Sequence, residues 1–433
     1  MDKIKLNYWK NSPVVVSLTD TNIDELDKNI PHQIIPDNEI FSKMTNIIES
    51  HPYKLDYMVN DPNLNLDTLC NFINNNYTDD NTQEQLEPTY KFLYTKDFIK
   101  YYTTDALTIS FYSKQTNLHE SKMIGLIIGK KSKLFIKEKE FDCVEANFLI
   151  LNPKVRNKNL ATLIVSILLK ELVLNYSLSI AHYTINNPIK APHYNLKYYY
   201  HRMINIDKLY QSNFISQNTL NLNNFDADIC NLLNQYKHTY NNFIDYLPEQ
   251  QILYLNKKNI SMITQNKLNE LINIIFFNVN SYSQNKYIIY EYKTREQISQ
   301  LLSNESFHHF IFLKKNLLSD EFNKNTNIIY NFNLITDYIC INELEILNVQ
   351  NNISYKNGYI YTGFYSSDIN MIIEKLSLFV YTNNIVDVIT WSDFFDINNS
   401  QCIAVKGSGF LKYYLYNIQM YKISNNLNGL VTL

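Results

Sequence analysis

The stretch VEANFLILNPKVRNKNLATLIVSILLKEL, Val144 to Leu172, decides the fold. It opens with alternation. Val144, Ala146, Phe148 and Ile150 fall on one face and Glu145, Asn147 and Leu149 on the other, which is the period of a strand ending near Leu151. A turn with Lys154, Arg156 and Lys158 follows, and a continuous apolar run then predicts a helix from about Asn159 to Asn175. A strand passing through a short turn into a helix is an α/β unit. Its turn is also a place for an anion, because the first N–H groups of a helix have no partner within it and carry partial positive charge. Three cations beside them suit a pyrophosphate. The same cations on a solvated loop look identical in sequence, so the turn alone leaves both readings open.

Working outward, the run Leu160 to Leu174 falls short of the ~20 residues that span a bilayer. Lys170 and Glu171 also interrupt it, so it reads as a buried core helix. Upstream, a helix is predicted near Leu66–Asn74, then an aromatic segment from Tyr90 to Tyr102, then strands at Ala106–Tyr112 and Met123–Gly129. Downstream comes a strand at Ile180–Ile185. The second half offers similar elements in similar order: strands at Phe310–Leu313, Tyr338–Ile341 and Tyr359–Phe364, a helix over Asp368–Tyr381 with Asp368 as N-cap, and strands at Val386–Trp391 and Leu411–Tyr416. Two such halves suggest a duplicated unit, although no repeat is visible in the residues themselves. Asn/Asp-rich loops at Asn74–Gln83 and Asn221–Asp228 punctuate the chain, the second as a junction.

The 433 residues exceed one ordinary core, so two domains are expected. Hydrophobic residues at 45% can fill them. With only 7 glycines, positions that usually need glycine are expected to carry Asn or Ser. A net charge of −3 gives no concentrated basic face of the kind nucleic acid requires. Cys70, Cys143, Cys230, Cys340 and Cys402 are scattered and form no C-x-x-C pair, which argues against disulfides and zinc and for a reducing, cytoplasmic setting. The first residues, MDKIKLNYWKNSP, lack the apolar stretch of a signal peptide. Adjacent His308 and His309 in a strand point to opposite faces and make a poor metal chelate, so no metal is expected.

The spacing Arg156-x-x-Asn159-x-Ala161 resembles the R-x-x-G-x-A loop of the acetyltransferase superfamily, with Asn in place of Gly. The wider pattern is more specific. Glu145-Ala146-Asn147-Phe148-Leu149, the basic turn and Leu160-Ala161 resemble the signature of the N-myristoyltransferases. So do Tyr183-Thr184 followed by Tyr198-Tyr199-Tyr200-His201-Arg202, the stretch Gly407 to Asn417, and the ending Gly429-Leu430-Val431-Thr432-Leu433. Asn7-Tyr8-Trp9 with Pro13, and Asn76-Tyr77-Thr78-Asp79-Asp80, resemble two further motifs of that family. The resemblance is clearest over residues 1–15, 70–100, 144–210 and 400–433.

The resemblance implies a duplicated acetyltransferase-like (GNAT-like) α/β fold, two mixed-sheet halves related by pseudo-twofold symmetry. Residues 1–210 would bind acyl-CoA; residues 211–433 would bind peptide and contribute the C-terminal carboxylate. It implies a monomeric enzyme moving a myristoyl group from myristoyl-CoA to the N-terminal glycine amine of other proteins. The main-chain N–H groups of Phe148 and Leu149 would stabilise the oxyanion, the carboxylate of Leu433 would act as base, and Thr184 would position the amine. Coenzyme A would lie against Asn7, Tyr8, Trp9, Phe148, Leu149, Ile150, Leu151, Arg156, Asn157, Lys158, Asn159, Leu160, Ala161 and Thr162. The peptide would meet Tyr77, Asp79, Asp80, Tyr90, Phe92, Tyr94, Tyr199, His201, Cys340 and Ser408. Several positions depart from the family. Asn157 and Asn159 replace a serine and a basic residue of the pyrophosphate turn, which puts coenzyme A affinity in doubt. Ser408 replaces an aspartate, which would reduce a preference for basic substrates. An acyltransferase acting on lysine or another amine, and an inactive acyl-CoA- or peptide-binding homologue, remain open alternatives.

Overall fold

The computed structural model describes residues 14–17, 31–77, 89–113, 122–156, 158, 160–185, 193–216, 250–314, 332–392, 404–421, 423 and 427–431. In chain order the elements are β1 (Val14–Ser17), α1 (Asp37–Ser50), β2 (Asp56–Val59), α2 (Leu66–Asn76), β3 (Tyr90–Leu93), α3 (Lys96–Thr103), β4 (Ala106–Tyr112), β5 (Met123–Ile136), β6 (Lys139–Leu151), α4 (Leu160–Tyr176), β7 (Ala181–Ile185) and β8 (Asn195–Met203). They continue with α5 (Ile206–Gln211), β9 (Gln250–Leu255), α6 (Lys257–Ile260), α7 (Gln265–Lys286), β10 (Ile289–Glu291), α8 (Arg295–Leu302), β11 (Phe307–Lys314), β12 (Ile335–Asn348), β13 (Ile353–Phe364), α9 (Ile369–Thr382), β14 (Val388–Ser392), β15 (Val405–Tyr416) and β16 (Ile418–Tyr421).

The chain forms two compact units. The first comprises Met1–Tyr198, Tyr287–Tyr292 and Ser408–Thr432; the second comprises Tyr199–Lys286 and Lys293–Gly407. The C-terminal strands therefore pack with the first unit.

In the first unit β2, β4, β5 and β6 run antiparallel in that order, β7 joins β6 in parallel, and β15 closes antiparallel on β7. Helix α4 makes the crossover between the parallel pair. Its sequence is apolar nearly all round because two surfaces cover it. Leu160, Leu163, Ile164, Ile167, Leu168 and Leu172 pack on Leu107, Ile109, Phe111, Ile127 and Val144 of the sheet. On the other side Leu169 meets Ile40 and Met44 of α1. This is the buried core helix predicted for Leu160–Leu174. Among the described residues no helix is long and apolar enough to cross a membrane.

The second unit repeats the pattern. Strands β11, β12 and β13 are antiparallel, α9 crosses over, and β14 joins β13 in parallel. The agreement extends to register. Strand β6 meets β7 at Val144/Ala181, and four residues on, its pairing with β5 slips at Phe148–Leu149. Strand β13 meets β14 at Asn357/Val388, and four residues on, its pairing with β12 slips at Tyr361. Matching irregularities at matching positions are the structural signature of the duplicated α/β unit, although the residues there, Phe-Leu and Tyr, differ. The predicted histidine pair follows the geometry of a strand. His309 is buried with its ring bonded to the Tyr338 hydroxyl and the Leu301 carbonyl, whereas His308 bonds Tyr254 and Glu343. Among the described residues no group of side chains could hold a metal ion.

Candidate active site

The site is built where β6 and β7 part. Their parallel pairing ends at Glu145/His182, yet β6 runs on to Leu151 and β7 to Ile185. Beyond Glu145 the β7-facing edge of β6 is thus released from β7. On the other edge Asn147 pairs with Ile128 and Ile150 with Leu126, so two residues, Phe148 and Leu149, oppose the single Ile127. This is a β-bulge, which re-aims main chain and side chains together. Phe148 sits at φ 51°, in the left-handed region that costs a non-glycine residue about 1–2 kcal/mol. Its side chain is 1% exposed while that of Leu149 is 41% exposed.

An aromatic box holds the bulge. The Phe148 ring meets those of Tyr77, Tyr94 and Tyr102 edge-on at 5.7, 5.2 and 5.2 Å. Tyr94 stacks on Phe98, and Tyr77 leans on Phe92 and Tyr94. Edge-to-face contacts of this kind each add about 0.5–1.5 kcal/mol beyond burial, enough together to hold the strained backbone. Tyr94 is itself placed by Asn74, whose side chain accepts from its N–H and donates to its carbonyl. The Phe148 N–H donates to the Asn147 side chain at 2.8 Å, off the ladder to β5. That donor is therefore held by a movable amide oxygen.

The basic turn follows. Pro153–Val155 forms a short 3-10 turn capped by Asn152. Arg156 is half-buried and does not reach out as a free cation. It donates through Nε to the Leu151 carbonyl at 3.0 Å and through Nη2 to the Asn76 carbonyl at 2.9 Å, at the C-terminal end of α2. Lys154 and Lys158 are exposed. Leu160 and Thr162 are buried in the first turn of α4, Ala161 is half-buried, Ile150 is buried, and Leu151 is half-buried. The corresponding lead-in of α9 has the opposite chemistry. Asp337 accepts from the N–H groups of Ser366 and Ser367, and Asp368 from that of Asn370. Carboxylates already occupy those donors, so an anion fits the first unit's turn and not the second's.

Thr184 lies half-buried on β7 opposite Tyr413. Tyr90 and Phe92 are half-buried on β3. In the second unit Tyr199 packs edge-on against Tyr359 at 6.2 Å. His201 bonds through Nδ1 to the Thr390 hydroxyl at 2.9 Å; that hydroxyl donates in turn to Asn357. Thr390 thus accepts from His201, which places the ring proton on Nδ1 and a lone pair on Nε2. Burial pushes the His201 pKa down to about 4, so the ring is neutral at pH 7. Cys340 is completely buried on β12, and burial pushes its thiol up, which suits a core residue better than a surface contact. Asn7, Tyr8, Trp9, Asp79, Asp80, Asn157, Asn159 and Leu433 lie outside the described residues, as does the side chain of Ser408.

Sequence reading missed Tyr102 as a wall of the aromatic box, Asn147 as the partner of the Phe148 N–H, and the Asn76–Arg156 link. Tyr102 stood within the noticed aromatic segment. For the other two, no local spacing announces a contact 80 residues apart or a side chain folding onto its neighbour's main chain.

Residues 33–192, which contain the bulge, the basic turn and Thr184, match the family described as Myristoyl-CoA:protein N-myristoyltransferase, N-terminal domain. A glycylpeptide N-tetradecanoyltransferase of Candida albicans is 24% identical over 97% of this chain and 86% of its own. Over residues 33–192 the chain is similar to the N-myristoyltransferases. Another relative, a putative glycylpeptide N-tetradecanoyltransferase of Amsacta moorei entomopoxvirus, is 26% identical over 64% of this chain and 95% of its own. A structure of Saccharomyces cerevisiae N-myristoyltransferase with bound myristoyl-CoA superposes with TM-score 0.68 over 99% of each chain at 16% identity. The GNAT-like duplicated α/β fold of that family is the fold found here.

Proposed function

We propose that this protein transfers a myristoyl group from myristoyl-CoA to the N-terminal glycine amine of other proteins. The observation that carries the reading is the bulge at Phe148–Leu149. It stands on an edge that β7 has left, directly ahead of a basic turn and a helix N-terminus, within the segment that matches the family.

The acyl-CoA pyrophosphate would lie at the first turn of α4, drawn by Lys154, Lys158 and the helix donors. Arg156 shapes this turn by tying Leu151 to the end of α2. The thioester carbonyl would then face the main chain of Phe148 and Leu149. The substrate's terminal amine, with a pKa of about 7.7–8.0, arrives largely as an ammonium. The α-carboxylate of Leu433 takes one proton from it, with Thr184 orienting the nitrogen. The nitrogen lone pair attacks the thioester carbon, and the carbonyl oxygen gains the negative charge. Each donor of an oxyanion site stabilises such an intermediate by roughly 2.7–4 kcal/mol. When it collapses the C–S bond breaks, the nitrogen gives up a second proton, and coenzyme A leaves as a thiol. The side-chain oxygen of Asn147 holds the Phe148 N–H until the substrate oxygen displaces it. Selection for glycine would follow from a cramped approach for the amine at this point, where a substrate side chain at the first residue would clash. Leu430, 1% exposed, brings the tail's apolar end into the first unit's core, as a buried terminal base requires.

The test is transfer from myristoyl-CoA to two peptides that differ only in starting with Gly or Ala. Acylation of the glycine peptide alone is expected. Equal acylation of both would replace this reading with a broader amine acyltransferase, and tight acyl-CoA binding without transfer would replace it with an inactive homologue.

A further inference from the structure

Lys197, on β8, is 0% exposed. Its ammonium donates to the main-chain carbonyls of Asn428 and Leu430, both at 2.8 Å, and lies 4.9 Å from the centre of the Tyr413 ring. Removing an ammonium from water costs several kcal/mol, and an apolar side chain of the same volume would fill the space without that penalty. What the lysine adds is a hold on two carbonyls of the C-terminal tail. The rest of the tail is set around that hold. The Ile288 N–H donates to the Leu427 carbonyl, the Gly429 N–H to the Ile289 carbonyl, and the Leu430 N–H to the Asn428 side chain, which itself bonds Asn195. Gly429 lies so close to the Tyr287 ring that a Cβ there would come within 2.3 Å of it. The register of this turn is fixed to a single arrangement, three residues before the last residue of the sequence.

We propose that Lys197 is a positioning residue for acyl transfer, clamping the tail at Asn428 and Leu430 so that the terminal carboxylate is delivered to the substrate amine. The proposal rests on the reading of the Leu433 carboxylate as the base. At ~3.3–3.6 Å per residue, the clamp confines the terminus to within about 10 Å of the Leu430 carbonyl. A base so confined acts as an intramolecular one, whereas a loose tail forfeits that advantage.

The experiment compares four forms of the full chain: wild type, Lys197→Met, wild type with one residue added after Leu433, and the two changes combined. Each is assayed with myristoyl-CoA and a glycine-starting peptide. Lys197→Met is expected to lower kcat about ten-fold or more at pH 7 while leaving KM for myristoyl-CoA within about two-fold. The deficit shrinks towards pH 9, where the substrate amine, with its pKa of about 7.7–8.0, loses its proton unaided. The added residue lowers kcat of the wild type but lowers that of Lys197→Met little further, because both changes remove one function. A purely structural lysine would lower Tm and leave kcat per folded molecule and its pH profile unchanged; that result overturns the proposal. If the added residue leaves wild-type turnover intact, the terminal base fails and the proposal with it. If the added residue abolishes turnover while folded Lys197→Met matches wild type, the role of Lys197 alone fails. Asn428→Ala loosens the same turn from the tail side and carries the test should Lys197→Met not fold: the same kcat and pH signature supports the clamp, and wild-type kcat overturns it.

Discussion

Phe148 is the one aromatic among the described non-glycine residues held at positive φ, where five of the nine positions are Asn. In a chain with 7 glycines, Asn takes over turns that need the left-handed region, as its short polar side chain allows. Phe148 has no such excuse and depends on its ring contacts, which ties the backbone shape of the site to the packing of Tyr77, Tyr94 and Tyr102. Two desolvated histidines, His309 fully buried and His201 half-buried, set a different property. Burial lowers the pKa of His201 to about 4 and of His309 to about 3, against an ordinary 6.5. From about a pH unit above that ordinary value both are neutral in either state and contribute no pH dependence. As pH falls below 6.5 the unfolded chain takes up protons that the folded chain refuses, so stability falls progressively towards pH 4. Urea midpoints measured from pH 7.5 down to 4.5 should decline, and less steeply in His201→Gln than in wild type. An unchanged slope in that variant would contradict a neutral His201.

At the scale of elements, the strand, basic turn and α4 were legible because their patterns are local: alternation for β6, a cation cluster, and an apolar run of helical length. The bulge was not, because register depends on β5, and a slip of one residue leaves no mark in either strand alone. Long α7 was missed for another reason. Its apolar residues from Leu268 to Val279 are broken up by Asn269, Asn273 and Asn278, and only Leu271, Ile272, Ile275, Val279 and Asn280 are buried, a stripe too sparse to stand out. The turn also divides into roles that sequence treats alike. Arg156 serves two carbonyls, whereas Lys154 and Lys158 face solvent. Arg156→Ala should therefore lower stability by roughly 1.5–3 kcal/mol, the worth of hydrogen bonds from a charged donor. Lys158→Ala should leave stability unchanged and weaken myristoyl-CoA binding, more at low salt than at high. Denaturant unfolding and calorimetric titration of both variants check the division; equal loss of affinity with no loss of stability in Arg156→Ala would contradict it.

At the scale of the whole molecule, duplication was readable only as a similar order of elements, and the structure gives it substance in the matching crossovers and matching bulges. The two copies have diverged where chemistry would be expected. One helix lead-in carries cations, whereas the other carries Asp368 and gives its N–H groups to Asp337 of β12. The first half of the chain could be divided from the second by its Asn-rich loop, but that division did not anticipate the C-terminal strands packing into the first unit. That placement depends on partners such as β7 and Lys197, more than 200 residues away in sequence. It brings the tail's anchor and the bulge of β6 into the same unit, and the proposed chemistry needs both. The most direct test is a crystal structure with a thioester analogue of myristoyl-CoA in which a methylene separates sulfur from the carbonyl. The carbonyl oxygen is predicted to lie about 2.7–3.1 Å from the main-chain nitrogens of Phe148 and Leu149, with the Asn147 side chain displaced from the Phe148 N–H. A carbonyl seated elsewhere, with the Phe148–Asn147 hydrogen bond intact, would contradict it.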